Sequence, residues 1–253
     1  MKTSLLVLFF ATALLYASVG FGGGSTYTAL LVLSGAPFAI IPIISLACNI
    51  TVVSANSVQY MRAGLVSFAK VWPFLFLSVP LAWVGGRIAI PETVFIGMLA
   101  VSLLFAGICL LMKRGPTREN PKAHSVGVSA FIGGGLGFVS GMVGIGGGIF
   151  LAPILHHIGW GRGKQISALC SLFILVNSIS GLTGQLMKLG DAQHLQILQP
   201  YWLLLPMVFI GGLIGNKLSL KVFSENTIRK MTALLILFVA IRLLWKFYNL
   251  TLS

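Results

Sequence analysis

Acidic side chains are nearly missing from this chain of 253 residues, which has four: Glu92, Glu119, Asp191 and Glu225. Charge of either sign is scarce, at 8% of residues against 57% hydrophobic ones. A soluble domain needs roughly a quarter charged residues to coat its surface, so a soluble globular fold is excluded. No Lys, Arg, Asp or Glu occurs from Thr3 to Met61, and none from Ala123 to Gly161. A helix needs about 20 apolar residues to cross the hydrocarbon core, so these stretches hold about three and about two crossing-length segments. The chain reads as an all-α, polytopic transmembrane protein.

Other absences narrow the function. Cys48, Cys109 and Cys170 show no CxxC spacing, so neither a disulfide framework nor a metal site is expected. No HExxH, GxSxG or Walker sequence occurs, so we expect no enzyme, no nucleotide-driven pump and no cofactor. The net charge of +13 comes from basic residues placed between hydrophobic segments, which argues against nucleic acid as a partner and for the lipid bilayer. Leu5 to Leu15 followed by Tyr16-Ala17-Ser18 imitates a signal peptide. A matching segment recurs internally, from Ser125 to Val143, so the first segment is expected to belong to the fold.

That recurrence is part of a longer repeat. Val19-Gly20-Phe21-Gly22-Gly23-Gly24 returns as Val143-Gly144-Ile145-Gly146-Gly147-Gly148, an offset of 124. Pro80 with Gly85-Gly86 returns as Pro206 with Gly211-Gly212, at an offset of 126. We therefore divide the chain into a first transmembrane repeat (1–112), a cytoplasmic linker (113–124) and a second repeat (125–253), each of about five apolar segments. The second segment of each repeat is short and follows the glycine cluster, as a broken half-helix or one arm of a re-entrant hairpin. If the first two segments of each repeat form a hairpin, 12 of the 17 basic residues fall on the cytoplasmic side. If each glycine cluster instead lies within one continuous crossing, the split is 10 to 7. The hairpin version is preferred, and it makes the two repeats inverted, as in many secondary transporters. It leaves Lys2, Arg87, Lys188, Arg242 and Lys246 outside.

Candidate site residues follow from this arrangement. Backbone broken at membrane depth must be buried by protein or line a wet cavity. Freed N–H groups at the start of a half-helix point the positive end of its dipole at a bound anion. We therefore select Gly22, Gly23, Gly24, Gly146, Gly147 and Gly148, with close helix packing as the alternative use of the same glycines. The polar third segments add Asn49, Asn56, Ser171 and Asn177, for which interhelical hydrogen bonding is the competing role. Ser45 and Ser178 belong to the same polar runs. Arg62, Arg87 and Lys188 sit at segment ends, where long side chains reach back to the interface. Asp191 reads as a loop carboxylate and His156-His157 as a helix-end pair.

Gly20 to Gly24, Gly141 to Gly148, Pro153, and Gly159-Trp160 through Ile166-Ser167-Ala168 resemble the sulfite exporter TauE/SafE family of bacterial membrane proteins. The resemblance covers essentially the whole chain. It implies transport of a small anion of the organosulfur or sulfur-oxyanion class, such as sulfite or a sulfonate, across the bacterial cytoplasmic membrane. The first half departs from the family pattern at Ser25-Thr26-Tyr27-Thr28, where an apolar run ending in proline is commoner. The expectation is a secondary transporter working by alternating access, with a small anion as substrate and self-association left open. An anion channel or an intramembrane lipid-handling protein is the alternative.

Overall fold

The computed structural model describes residues 3–18, 20–111, 125–189, 196–218 and 225–252. Asp191 and the linker 113–124 lie outside them. Ten α-helices and no strand occur among the described residues: α1 (Thr3–Ser18), α2 (Gly24–Ser34), α3 (Ile41–Arg62), α4 (Phe68–Arg87), α5 (Glu92–Leu111), α6 (Val126–Val143), α7 (Gly148–His157), α8 (Gly163–Leu189), α9 (Leu204–Leu218) and α10 (Glu225–Leu252). Five helices stand on each side of the linker, and six spans are long and apolar enough to cross a membrane.

Helix starts and stops follow backbone chemistry. Gly23 (φ +84°) and Gly147 (φ +77°) take the left-handed conformation immediately before α2 and α7. An L side chain adopts that conformation only at a cost, so the turn requires glycine. Gly35 ends α2 in the same conformation, and its counterpart Gly159 has φ +66° shortly after α7. The pairs Gly20/Gly144, Gly23/Gly147 and Gly35/Gly159 thus share both the 124-residue offset and the sign of φ.

The distribution of side chains inverts the soluble pattern. Asn49, Ser45, Thr28, Asn177, Ser178 and Gln185 are buried, while Phe131 is 81% exposed and Trp202, Trp245, Phe68 and Phe76 are also open. On α5, Phe95, Leu99 and Leu103 are buried, yet the opposite face presents Val101, Phe105 and Ile108. A helix apolar on every face belongs in lipid.

The packing interleaves the halves. Gly133, Gly137 and Gly141 of α6 meet Phe74, Ser78 and Ala82 of α4 so closely that an added Cβ would overlap their carbonyl groups. Gly211 and Gly215 of α9 meet Phe10 and Leu14 of α1 in the same way. Small residues at four-residue spacing let membrane helices approach in this manner. The order of these contacts makes α4 parallel to α6 and α1 parallel to α9. By contrast, Leu46 lies near Gly181 and Asn49 near Gly146 and Ser178, while Gly20 joins Tyr60 to Ser171, so α3 and α8 cross in opposite directions. Gly97 against Phe247 and Gly107 against Leu237 make α5 and α10 antiparallel as well. The short α2 runs back along α3, since Gly24 is level with Asn49 and Thr28 with Ser45.

Candidate functional site at two glycine breaks

The two breaks touch. A Cβ added to Gly24 would meet the Asn49 amide and, at 2.5 Å, the Ile145 carbonyl of the other half. Asn49, fully buried on α3, stands between them and donates from Nδ2 to the Ile145 carbonyl at 3.0 Å. Its carboxamide also occupies the space beside Gly22, Gly24 and Gly146. Seven of the residues selected from sequence, Gly22, Gly23, Gly24, Asn49, Gly146, Gly147 and Gly148, are therefore grouped.

The backbone carbonyls of Gly20, Gly24, Gly144 and Ile145 accept from side chains here, whereas the buried Asn49 Oδ1 has no partner among the described residues. The Ser45 hydroxyl donates to the Gly144 carbonyl at 2.8 Å and lies 2.9 Å from the Gly24 carbonyl. The Ser171 hydroxyl donates to the Gly20 carbonyl at 2.5 Å. These bonds are counterparts: Ser45 and Ser171 are 126 residues apart, Gly20 and Gly144 are 124 apart, and each serine clasps the break of the opposite half. Thr28 donates to Ser45 at 2.8 Å, so it supports one clasp.

The amide N–H groups are not satisfied in this way. Those of Gly22, Gly23, Gly24 and Ser25 have no acceptor among the described residues, and neither do those of Gly146, Gly147, Gly148 and Ile149. The helix bonds begin at Thr26 and Phe150, which bond to the carbonyls of Gly23 and Gly147. Buried hydroxyls without a partner among the described residues stand nearby: Tyr27 beside Gly23, Ser178 beside Gly146, and Ser140 beside Gly147. Each can turn its proton toward a ligand. Four backbone donors without an acceptor among the described residues at each of two half-helix starts, with no acidic side chain in either break, form an environment suited to negative charge.

The remaining selected residues are distributed differently. Asn177 donates from Nδ2 to the Phe173 carbonyl of its own helix at 2.8 Å, leaving Oδ1 without a partner among the described residues. Asn56 lies at the end of α1, 3.5 Å from the Ala17 carbonyl, outside the group around Asn49. Gln185 was not singled out from sequence, yet it is buried and donates to the Gly141 carbonyl at 2.8 Å just ahead of the second break. Its position in α8, four residues before the helix end, gave no signal. The departure at Ser25 to Thr28 has a structural use, because Thr26 shares a 2.9 Å hydrogen bond with the Tyr16 hydroxyl and Thr28 holds Ser45. Among the described residues, no group of three or more His, Cys, Asp or Glu is placed to hold a metal ion.

Comparison with known proteins bears on this geometry. The sequence profile of the sulfite exporter TauE/SafE family matches residues 5–243. The "Probable membrane transporter protein y4hK" of Sinorhizobium fredii is 34% identical over 248 residues, covering 95% of this chain and 97% of its own length. No solved structure matches the chain.

Proposed function

We propose that this chain, which belongs to the sulfite exporter TauE/SafE family of membrane transporters, carries a small oxyanion of the sulfite or sulfonate class by alternating access. The multi-pass fold and family give the transporter; the substrate class rests on the site. One observation carries it: two half-helix starts whose N–H groups have no acceptor among the described residues meet at Asn49. An oxyanion accepts several such bonds at once, whereas a cation would call for carboxylates that the breaks do not contain.

The proposed cycle uses the crossing of α3 and α8. The repeats are read as inverted through the bilayer, a reading supported by the opposed directions of α3 and α8 and of α5 and α10. One half then rocks against the other, opening the paired breaks to each side in turn. The Ser45 and Ser171 clasps keep each break attached to the opposing helix while this happens. In the same reading the chain resides in the bacterial cytoplasmic membrane, has no catalytic step, and takes the small anion and the bilayer as its partners.

The test is flux of labelled sulfite, methanesulfonate and chloride in liposomes containing the purified chain, with and without imposed proton or potential gradients. A carrier gives saturable uptake that accelerates when the same anion is loaded on the far side. Uptake that rises linearly with concentration and ignores far-side substrate would replace the carrier with a channel. Flux of none of the anions above empty liposomes would overturn the substrate class.

A further inference from the structure

A second polar feature lies apart from the glycine breaks. A cleft of about 310 Å³ opens between the ends of α3 and α9, lined by Ala55, Val58, Gln59, Arg62, Asn216 and Lys217. It opens to solvent and has room for an oxyanion with part of its hydration shell. The α3 contribution falls at positions 55, 58, 59 and 62, one continuous helical face. Asn49, by contrast, projects toward the breaks.

The lining chemistry has one sign. A guanidinium, an ammonium and two carboxamides line the cleft, and no carboxylate is among the described lining residues. Neither Arg62 nor Lys217 has an ion-pair or hydrogen-bond partner among the described residues. A basic residue in the last turn of a helix often serves its terminal carbonyls. In α3 the backbone already does so: Ala63, Gly64 and Leu65 donate to Gln59, Met61 and Tyr60 at 3.0, 3.1 and 3.1 Å. Arg62 is therefore not required at its own helix end.

We propose that this cleft is an oxyanion-binding site, in which Arg62 and Lys217 neutralise a phosphate- or sulfate-like group and Gln59 and Asn216 donate amide hydrogens to it. The group is either the headgroup phosphate of an anionic lipid or a free tetrahedral anion gathered on the side of the membrane that Arg62 and Lys217 face. Val58 and Ala55 give the cleft an apolar wall compatible with both sources. The site is independent of which anion the breaks transport.

Binding to the purified full chain in non-ionic detergent decides the matter, read as thermal stabilisation in two arms. One arm titrates sodium phosphate and sodium sulfate against sodium chloride of equal ionic strength. The other titrates phosphatidylglycerol against phosphatidylcholine in mixed micelles. Saturable stabilisation is expected in at least one arm, weakened about tenfold or more in R62Q/K217Q through loss of charge-assisted bonds. Each single variant should give an intermediate shift, which covers the case of a double variant that folds poorly. K70Q/K164Q removes two exposed basic residues elsewhere and should bind as the parent does. A response to phosphatidylglycerol alone assigns a lipid, and a response to phosphate or sulfate alone assigns a free anion. No saturable response in either arm, or an equal loss in K70Q/K164Q, overturns the site. Persistent binding in a chain that moves no anion would leave the cleft standing while the transport proposal fell.

Discussion

Removing the Ser45 hydroxyl leaves the Gly144 carbonyl only the longer 3.4 Å bond from Thr28 across the halves, and removing that of Ser171 takes away the side-chain donor to the Gly20 carbonyl. Interhelical hydrogen bonds in membranes contribute about 0.6 kcal/mol on average and up to about 1.7. Ser45→Ala and Ser171→Ala should each lower stability by about 1 kcal/mol in thermal unfolding, and each should slow anion flux. Full stability and flux in both variants would show that the clasps hold nothing. The glycines give a sharper contrast. Gly22 lacks a positive φ, and its added Cβ would meet chiefly the Asn49 side chain, with Val53 at 3.1 Å. Gly23 has φ +84°, so alanine there is strained by about 1–2 kcal/mol whatever its neighbours do. Asn49→Ala should therefore relieve the destabilisation of Gly22→Ala and leave that of Gly23→Ala in place. Equal relief of both, measured as unfolding temperatures in a double-mutant cycle, would sink this assignment.

Among the elements, the half-helices and the glycine stripes behave differently as sequence signals. The starts of α2 and α7 were legible because three glycines interrupting an apolar run leave the backbone few other uses, and the duplicated order placed both. The pairings of α4 with α6 and α1 with α9 were not legible, since glycines at four-residue spacing announce a close neighbour without naming it. The same limit applied to the serines. Thr51 and Ser54 bond back to Ala47 and Ile50 of their own helix, whereas Ser45, on the same helix, reaches across to Gly144, and nothing in residue type separates them. The stripe makes its own prediction. A Cβ on Gly137 would overlap Ser78, and one on Gly215 would overlap Leu14, so both substitutions push equivalent helix pairs apart. Gly137→Leu and Gly215→Leu should each cost about 1–3 kcal/mol through overpacking. Detergent unfolding curves like those of the parent would show that these helices separate without cost.

For the whole molecule, the arrangement of charge and the arrangement of helices answer to one topology. In the proposed topology, with α1 and α2 as a hairpin, α1, α3, α5 and α9 would run toward the cytoplasm and α4, α6, α8 and α10 away from it. These directions agree with every pairing established by the close contacts. The arrangement also accounts for an awkward lysine. Lys246 falls on the side with few basic residues, but its ammonium donates at 3.0 Å to the Val32 carbonyl, in the last turn of α2. There it meets the negative end of the α2 dipole, whose positive end faces the glycine break. Single cysteines test the topology in a background carrying Cys48→Ala, Cys109→Ala and Cys170→Ala. Ser67→Cys precedes α4 and Arg162→Cys precedes α8, and both should react with an impermeant maleimide from the cytoplasmic side of inverted vesicles. Glu92→Cys at the start of α5 and Gln196→Cys ahead of α9 should react from the opposite side. Repeats lying parallel through the bilayer could not place residues 67 and 162 together, because Ser67 follows the third helix of its half while Arg162 precedes the third helix of the other. Labelling of those two positions from opposite faces would therefore remove the inverted topology and, with it, the rocking motion that exposes the paired breaks to each side in turn.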